Sequence, residues 1–405
     1  MNSPPPSEGA WRDLAPRALA RLLRMYGPGQ FDLCEDAVQD ALLDAHKQWA
    51  TNPPDDPLGW LVTAGRRRYI DRVRSDVRRR EREAKVARLT EPLVPASSEV
   101  DDSLLILQLC CHPELPRAGQ IALTLRAVCG LTTAQIANVY LLPEATVAQR
   151  ITRAKRRLTD LGRGFPDPGQ TEERLPAVLN VLYLMFTEAH HTTTGAPARD
   201  TDLAGEALHL ARQLRAGFTT NTEVTGLLAL MLLTEARQPA RITAGGELVA
   251  LDEQDRTRWN KPFIAEGLRL LDRSVPDATP GPYLIQACIA ALHAQAATVA
   301  TTDWAEILAL YRLLEITTDG QNPTIRLNRI VAEALVHGPG AALDLVDQLK
   351  DQHPDLPRLH AVRADLLERS GDTTAAAADY RTAIKAARNL AEQRHLVRKL
   401  RQLDL

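Results

Sequence analysis

Apolar residues recur three and four positions apart from Trp11 to Tyr26 and again from Phe31 to Trp49, with Gly27-Pro28-Gly29 between the two runs. That period lays a single apolar stripe along a helix, and the Gly and Pro residues interrupt it, so the pattern predicts two helices in succession. A third helix begins near Leu58, after the loop Asn52-Pro53-Pro54-Asp55-Asp56-Pro57. It carries Trp60, Leu61, Ala64, Ile70 and Val73 into an arginine-rich stretch. Aromatic residues are only 4% of the chain, whereas the helix formers Ala, Leu and Arg are abundant. An all-α fold is expected throughout.

A chain of 405 residues exceeds one ordinary core, so several packed units are expected. Between Thr90 and Asp102 stand two prolines, two serines and four acids, which is linker chemistry. A first domain is therefore placed at 8–90, a linker at 91–102 and a second helical domain at 103–162. Gly162-Arg-Gly-Phe-Pro-Asp-Pro-Gly169 makes the next break, and amphipathic helical hairpins fill 170–405. Tyr311, Val346 and Tyr380 stand 35 and 34 residues apart, at equivalent places in the second helix of successive pairs. This is the tetratricopeptide period. In the last repeat Ala364, Ala376, Tyr380 and Ala383 fit that motif's small-and-aromatic pattern, with His360 where its early Trp belongs.

The formal net charge of −2 hides a strong local asymmetry. Residues 66–88 hold eleven Arg or Lys against four Asp or Glu, +7 over 23 positions. A solvated helix face is one explanation; the other is a phosphate-tracking surface, whose affinity comes from counterion release. Trp60 and Tyr69 lie at its start, where rings can stack on unpaired bases, although Trp60 is also in phase with the apolar positions Leu61, Ala64 and Ile70. Further on, Leu131 to Leu158 reads as two short helices with a tight break. Thr132 or Thr133 caps the first, and Pro143 opens the second. Val147, Ile151, Ala154 and Leu158 form one apolar face, with basic residues around the remainder. An exposed basic second helix after such a turn is the form that enters a DNA major groove.

Both halves, in this order, resemble an extracytoplasmic-function sigma factor. That family's clamp-binding helix, E-D-x-V-Q-x-x-x-L, is matched by the run from Glu35 through Leu43. Its −10 helix, P-x-x-W-L-x-x-x-A-R-x-x-x-I-D-x-x-R, is matched from Pro57 to Arg74, with Gly65 for Ala. Its −35 motif, P-x-G-T-V-x-x-R-x-x-R-A-R, is matched from Pro143 to Lys155, with Ala145 for Gly and Lys155 for Arg. Leu179–Glu188 and Leu251–Asn260 are similar to the subgroup that carries a C-terminal extension with tetratricopeptide-like repeats.

The resemblance implies a promoter-recognition subunit without catalytic chemistry, whose partners are core RNA polymerase (β′ clamp, β flap) and promoter DNA. It assigns Glu35, Asp36, Gln39 and Asp40 to polymerase. It assigns Asn52, Asp56, Trp60, Arg66, Arg67, Tyr69, Arg72 and Arg74 to the −10 strand. Glu144, Ala145, Thr146, Ala148 and Gln149 would face −35 base edges, with Arg150, Arg153, Lys155 and Arg156 also on that DNA. The extension is expected to control the promoter-reading half in cis, or to bind a regulatory protein or ligand. The competing reading is a helix-turn-helix transcription factor with a ligand- or peptide-sensing repeat domain, which leaves the first 75 residues without a use.

No cofactor is expected. Cys110-Cys111-His112 and Glu188-Ala-His-His191 lack a second cluster with ligand spacing, so no metal site is assigned. The five cysteines, Cys34, Cys110, Cys111, Cys129 and Cys288, show no CxxC spacing and suit a reduced compartment. No apolar run is long enough for a membrane span, and the opening residues do not read as a secretory leader, so a cytoplasmic location is expected.

Overall fold

The computed structural model describes residues 8–49, 51–81, 102–140, 142–161, 171–192, 203–243, 247–274, 279–320, 322–387 and 390–403. The described residues form helices with no named strand and one isolated antiparallel bridge, Ile242 to Leu248. The chain divides into two compact units, Met1–Glu188 and Ala189–Leu405.

The first unit opens with α1 (Glu8–Tyr26), α2 (Phe31–Gln48) and α3 (Pro57–Glu81), each packed on the other two. Their apolar stripes meet in a core of Leu22, Leu23, Phe31, Leu61 and Trp49, all 0–1% exposed. Trp49, which caps the end of α2, stacks on Trp11 of α1 at 4.8 Å and meets Trp60 of α3 edge-on at 5.4 Å, so three tryptophans share one contact. A Cβ on Gly65 of α3 would come 2.9 Å from Leu22 Cδ1 of α1, which gives the departure from Ala a packing reason.

Then come α4 (Asp102–Cys110), α5 (Arg117–Ala127), α6 (Thr133–Val139), α7 (Glu144–Leu161) and α8 (Thr171–Thr192). Gly130, at φ +69°, turns the chain from α5 into α6 in a conformation that side-chain-bearing residues rarely adopt. The α4 helix packs on both α1 and α5. In α8, Leu179, Val181, Leu182, Met185 and Phe186 are buried, and Arg174 reaches the carbonyl of Gln108. This helix follows the Gly/Pro break at 162–169, yet its residues through Glu188 belong to the first compact unit. The linker 91–101, the basic residues 82–88 and the Gly162–Gly169 break lie outside the described residues.

The second unit comprises α9 (Leu203–Gly217), α10 (Thr222–Glu235), α11 (Gln238–Arg241), α12 (Lys261–Asp272) and α13 (Pro282–Gln295). It continues with α14 (Trp304–Thr317), α15 (Pro323–His337), α16 (Pro339–Gln352), α17 (Leu359–Ser370), α18 (Thr373–Ala386) and α19 (Leu390–Leu403). From α13 onward each helix packs on the next, as a stack of hairpins. Asn221, Asn260, Asp303, Asn322 and Asp372 each accept a backbone N–H from the first turn of the helix that follows, so short polar residues mark where the turns end. Tyr311, Val346 and Tyr380 lie in α14, α16 and α18, every second helix, in agreement with the repeat read from their spacing. The His360 ring lies 2.6 Å from Asp379 on α18, and Arg363 joins Asp379 to Asp347 of α16, so a polar network occupies part of the last repeat. The α10 helix packs tightly on α13, where a Cβ at Gly226 would lie 2.5 Å from the backbone nitrogen of Leu284.

The stretch Leu251–Asn260 acts as a strap within this unit. Arg256 donates to the carbonyls of His293 (2.9 Å) and Ala296 (2.6 Å) and stacks over the buried Trp259 at 5.2 Å. Glu253 pairs with Arg398 of α19 at 2.6 Å. No helix among the described residues is long and apolar enough to cross a membrane.

Candidate nucleic-acid interface

The α2 helix presents alternate carboxylates because its apolar positions, Cys34, Ala37, Val38, Ala41 and Ala45, all turn inward. Asp36 and Asp40 reach across to Arg72 of α3, the latter at 2.7 Å, and Asp44 reaches Arg68. Gln39 is exposed and lies 3.5 Å from Glu35. These pairs are partly solvated and worth little individually, but they fix the register of α3 against α2. They leave Arg66, Arg67 and Arg74 on the exposed side of α3. Arg67 and Arg74 have no carboxylate partner among the described residues. Asn52 and Asp56, in the loop before α3, are exposed; Asp56 accepts the backbone N–H of Gly59 at 2.9 Å.

The two aromatic residues singled out for base stacking pack inward in this state. Tyr69 is 8% exposed and stacks on Tyr26 at 3.7 Å; burial pushes its hydroxyl up to about 12. Trp60 is half-buried against Trp49. Of the two, Trp60 is the more exposed.

The helix-turn-helix is built as its spacing predicts. Thr132 and Gln135 bond each other's backbone N–H groups, at 3.1 and 2.8 Å, a capping box that starts α6. Pro143 accepts the N–H of Thr146 at the head of α7. Val147, Ile151, Ala154 and Leu158 are 1–7% exposed, which sets the orientation of α7 and turns Glu144, Ala145, Ala148 and Gln149 out to solvent in its first turns. Thr146 and Arg150 are half-buried, while Arg153 and Arg156 are exposed.

Two residues assigned to different tasks meet each other. Lys155 of α7 sits 2.6 Å from both Glu35 and Asp32, with its Nζ 5.3 Å from the centre of the Phe31 ring. Arg126 of α5 bonds the other oxygen of Glu35 at 2.7 Å. The side chains of Glu35 and Lys155 are each 11% exposed and that of Arg126 is 22% exposed. Burial pulls the Lys155 ammonium down, but Glu35 and Asp32 outweigh it and its pKa is raised. Neither Arg126 nor Asp32 carries a motif signal, and they stand 91 and 123 residues from their partners, so sequence spacing does not reveal them.

Of the two clusters set aside as metal ligands, Cys110-Cys111-His112 is packed as core, and Glu188 of the other is half-buried. Cys110 and Cys111 are fully buried, with thiols pushed well up by desolvation, and Gln120 bonds the carbonyl of His112 at 2.8 Å. His190 and His191 have no described side chain. All five cysteines are free.

Residues 10–79 match the Sigma-70 region 2 family, and residues 109–158 match Sigma-70, region 4. Residues 174–275 match DUF6596, a family of unknown function. Uncharacterized protein R00370 of Rhizobium meliloti is 39% identical over 96% of this chain and 95% of its own length. Probable ECF RNA polymerase sigma factor SigI of Mycobacterium tuberculosis is 28% identical over 40% of this chain and 57% of that protein. Among solved structures, the yeast Tom70 crystal structure aligns at 11% identity and TM-score 0.33, over 95% of this chain and 82% of that one. Region 2, carrying α1 to α3, and region 4, carrying the helix-turn-helix, imply interaction with RNA polymerase core and promoter DNA. The chain belongs to the sigma-70 family, in the extracytoplasmic-function arrangement of region 2 and region 4 followed by a C-terminal helical extension.

Proposed function

We propose that this protein is an RNA polymerase sigma factor that starts transcription at specific promoters and that its own helical extension governs its activity. The observation that carries the reading is α7, which turns Glu144, Ala145, Ala148 and Gln149 outward at its head and Arg153 and Arg156 behind them. Residues suited to base edges thus precede residues suited to phosphates along one helix, and that order supports a major-groove reader. In α3 the exposed Arg66, Arg67 and Arg74 supply the complementary surface for an unpaired −10 strand, with the rim of Trp60 beside them. Asp36, Gln39 and Asp40 remain at the surface of α2 for the β′ clamp, and the β flap would take region 4. The protein works without catalytic chemistry of its own, in the cytoplasm, where polymerase and chromosome are.

The extension acts on this machinery from within the same chain, at high effective concentration. The test is transcription from a promoter of the gene's own neighbourhood with purified core polymerase. The full chain is compared with a version ending at Thr192, which keeps α8 with the first unit. Binding of core polymerase by both, with higher output from the shorter form, is the expected result; loss of output on truncation would make the extension an activating part. Absence of core binding by either form overturns the sigma reading.

A further inference from the structure

Glu35 is an acidic residue in the stretch of α2 that the proposed function assigns to the polymerase clamp, yet it is 8% exposed and held by two cations from region 4. Lys155 belongs to the helix assigned to −35 DNA, yet its ammonium is committed to Glu35 and Asp32. Around this cluster α7 packs on α2 and on the turn at Pro28–Gln30, α4 packs on α1, and a Cβ at Gly29 would lie 3.6 Å from Thr159 Cγ2. One ionic contact therefore withholds a polymerase ligand and a DNA ligand together.

We propose that α5 and α7 form an intramolecular cover for the polymerase-docking face of α2, and that parting Glu35 from Lys155 and Arg126 is a required step between the free protein and the initiating complex. The inference rests on the sigma reading and adds a closed state to it. The scale of a promoter supports it. Elements at −35 and −10 lie roughly 25 base pairs apart, on the order of 80 Å at about 3.4 Å per pair. Region 2 and region 4 joined through a 2.6 Å ion pair cannot reach both. The 20 residues between α3 and α4 have a contour length of about 70 Å, enough to let the two halves separate.

The energetics make the contact a switch rather than a simple brace. A nearly buried ion pair adds little net stability over apolar packing, but separating its members is costly while either charge stays buried and unpaired. Opening is favourable only when both sides find new partners. A basic surface on polymerase would take Glu35 and Asp32, and DNA phosphates would take Lys155 and Arg126. Each ligand favours the open state, so each one makes the other easier to bind.

The test uses the full chain with the paired substitutions Gly29→Cys and Thr159→Cys. Under oxidant the two should cross-link in the free protein, seen as a gel-mobility change that both single variants lack. Core polymerase affinity of the cross-linked form should fall by about tenfold or more and return on reduction, as for any ligand that needs the open state. Equal affinity of the oxidised and reduced forms overturns the proposal, as does failure of the pair to cross-link. If the unsubstituted chain itself fails to bind core polymerase, the underlying sigma reading falls and the closed state loses its meaning.

Discussion

His293 closes α13 with 8% exposure, edge-on to Trp304 at 5.2 Å, and its imidazole is pulled down to about 4 by burial and then by the charges of Arg237 and Arg256. An unfolded histidine titrates near pH ~6.5, so between that value and about 4 the unfolded chain binds the extra proton. The stability tied to a neutral His293 is present above pH ~6.5 and is lost as pH falls, on the order of 3 kcal/mol in full. Denaturant melts across that range should show the slope, and His293→Gln should flatten it. Beside it, the Arg237 guanidinium is pulled down to about 10, first by burial and then by Arg241. A guanidinium set low among like charges costs more than it returns. Arg237→Met should therefore raise stability by on the order of 1 kcal/mol, read as a higher denaturation midpoint with unchanged slope.

At the scale of the element, two helices show how much can hang on one position. Gly226 lets α10 rest directly on the first turn of α13, and Glu223 of α10 accepts the N–H groups of Tyr283 and Leu284 there, each at 3.0 Å. Gly226→Ala pushes a methyl group against backbone that cannot move aside, and should cost roughly 2 kcal/mol or more of extension stability in a thermal melt. The α7 helix makes a different prediction, because the proposed function divides its exposed residues by task. Arg153→Ala or Arg156→Ala should weaken binding to all duplexes alike and lower the salt slope of binding by about one. Gln149→Ala should instead change which −35 sequence is preferred, by about 1–3 kcal/mol at one base pair, measured by competition among variant duplexes. Periodicity made the apolar face of α7 legible, since Val147, Ile151, Ala154 and Leu158 are all buried. It also made the start of α6 legible, because a Thr with Gln three residues on is a local pattern with a local partner.

On the scale of the whole molecule, the compact units divide after Glu188, beyond the Gly/Pro run at 162–169. A chain cut at Gly162 loses α8, whose Leu175, Val178, Leu182 and Met185 are 0–4% exposed. It should bind an apolar dye and aggregate, whereas one ending at Thr192 should stay monomeric by size-exclusion chromatography. Composition and period alone determined that this protein is helical, that its recognition helix is basic on one side, and that its last hairpins repeat at Tyr311, Val346 and Tyr380. Those features depend on neighbours a few residues away along the chain, where spacing and geometry are linked directly. Tertiary structure alone decided that Glu35 meets Lys155 and Arg126, that Tyr69 turns inward onto Tyr26, and that Arg256 ties its strap to α13. Each of these contacts joins residues 37 to 120 positions apart, brought together by the burial of apolar faces that carry no record of their partners.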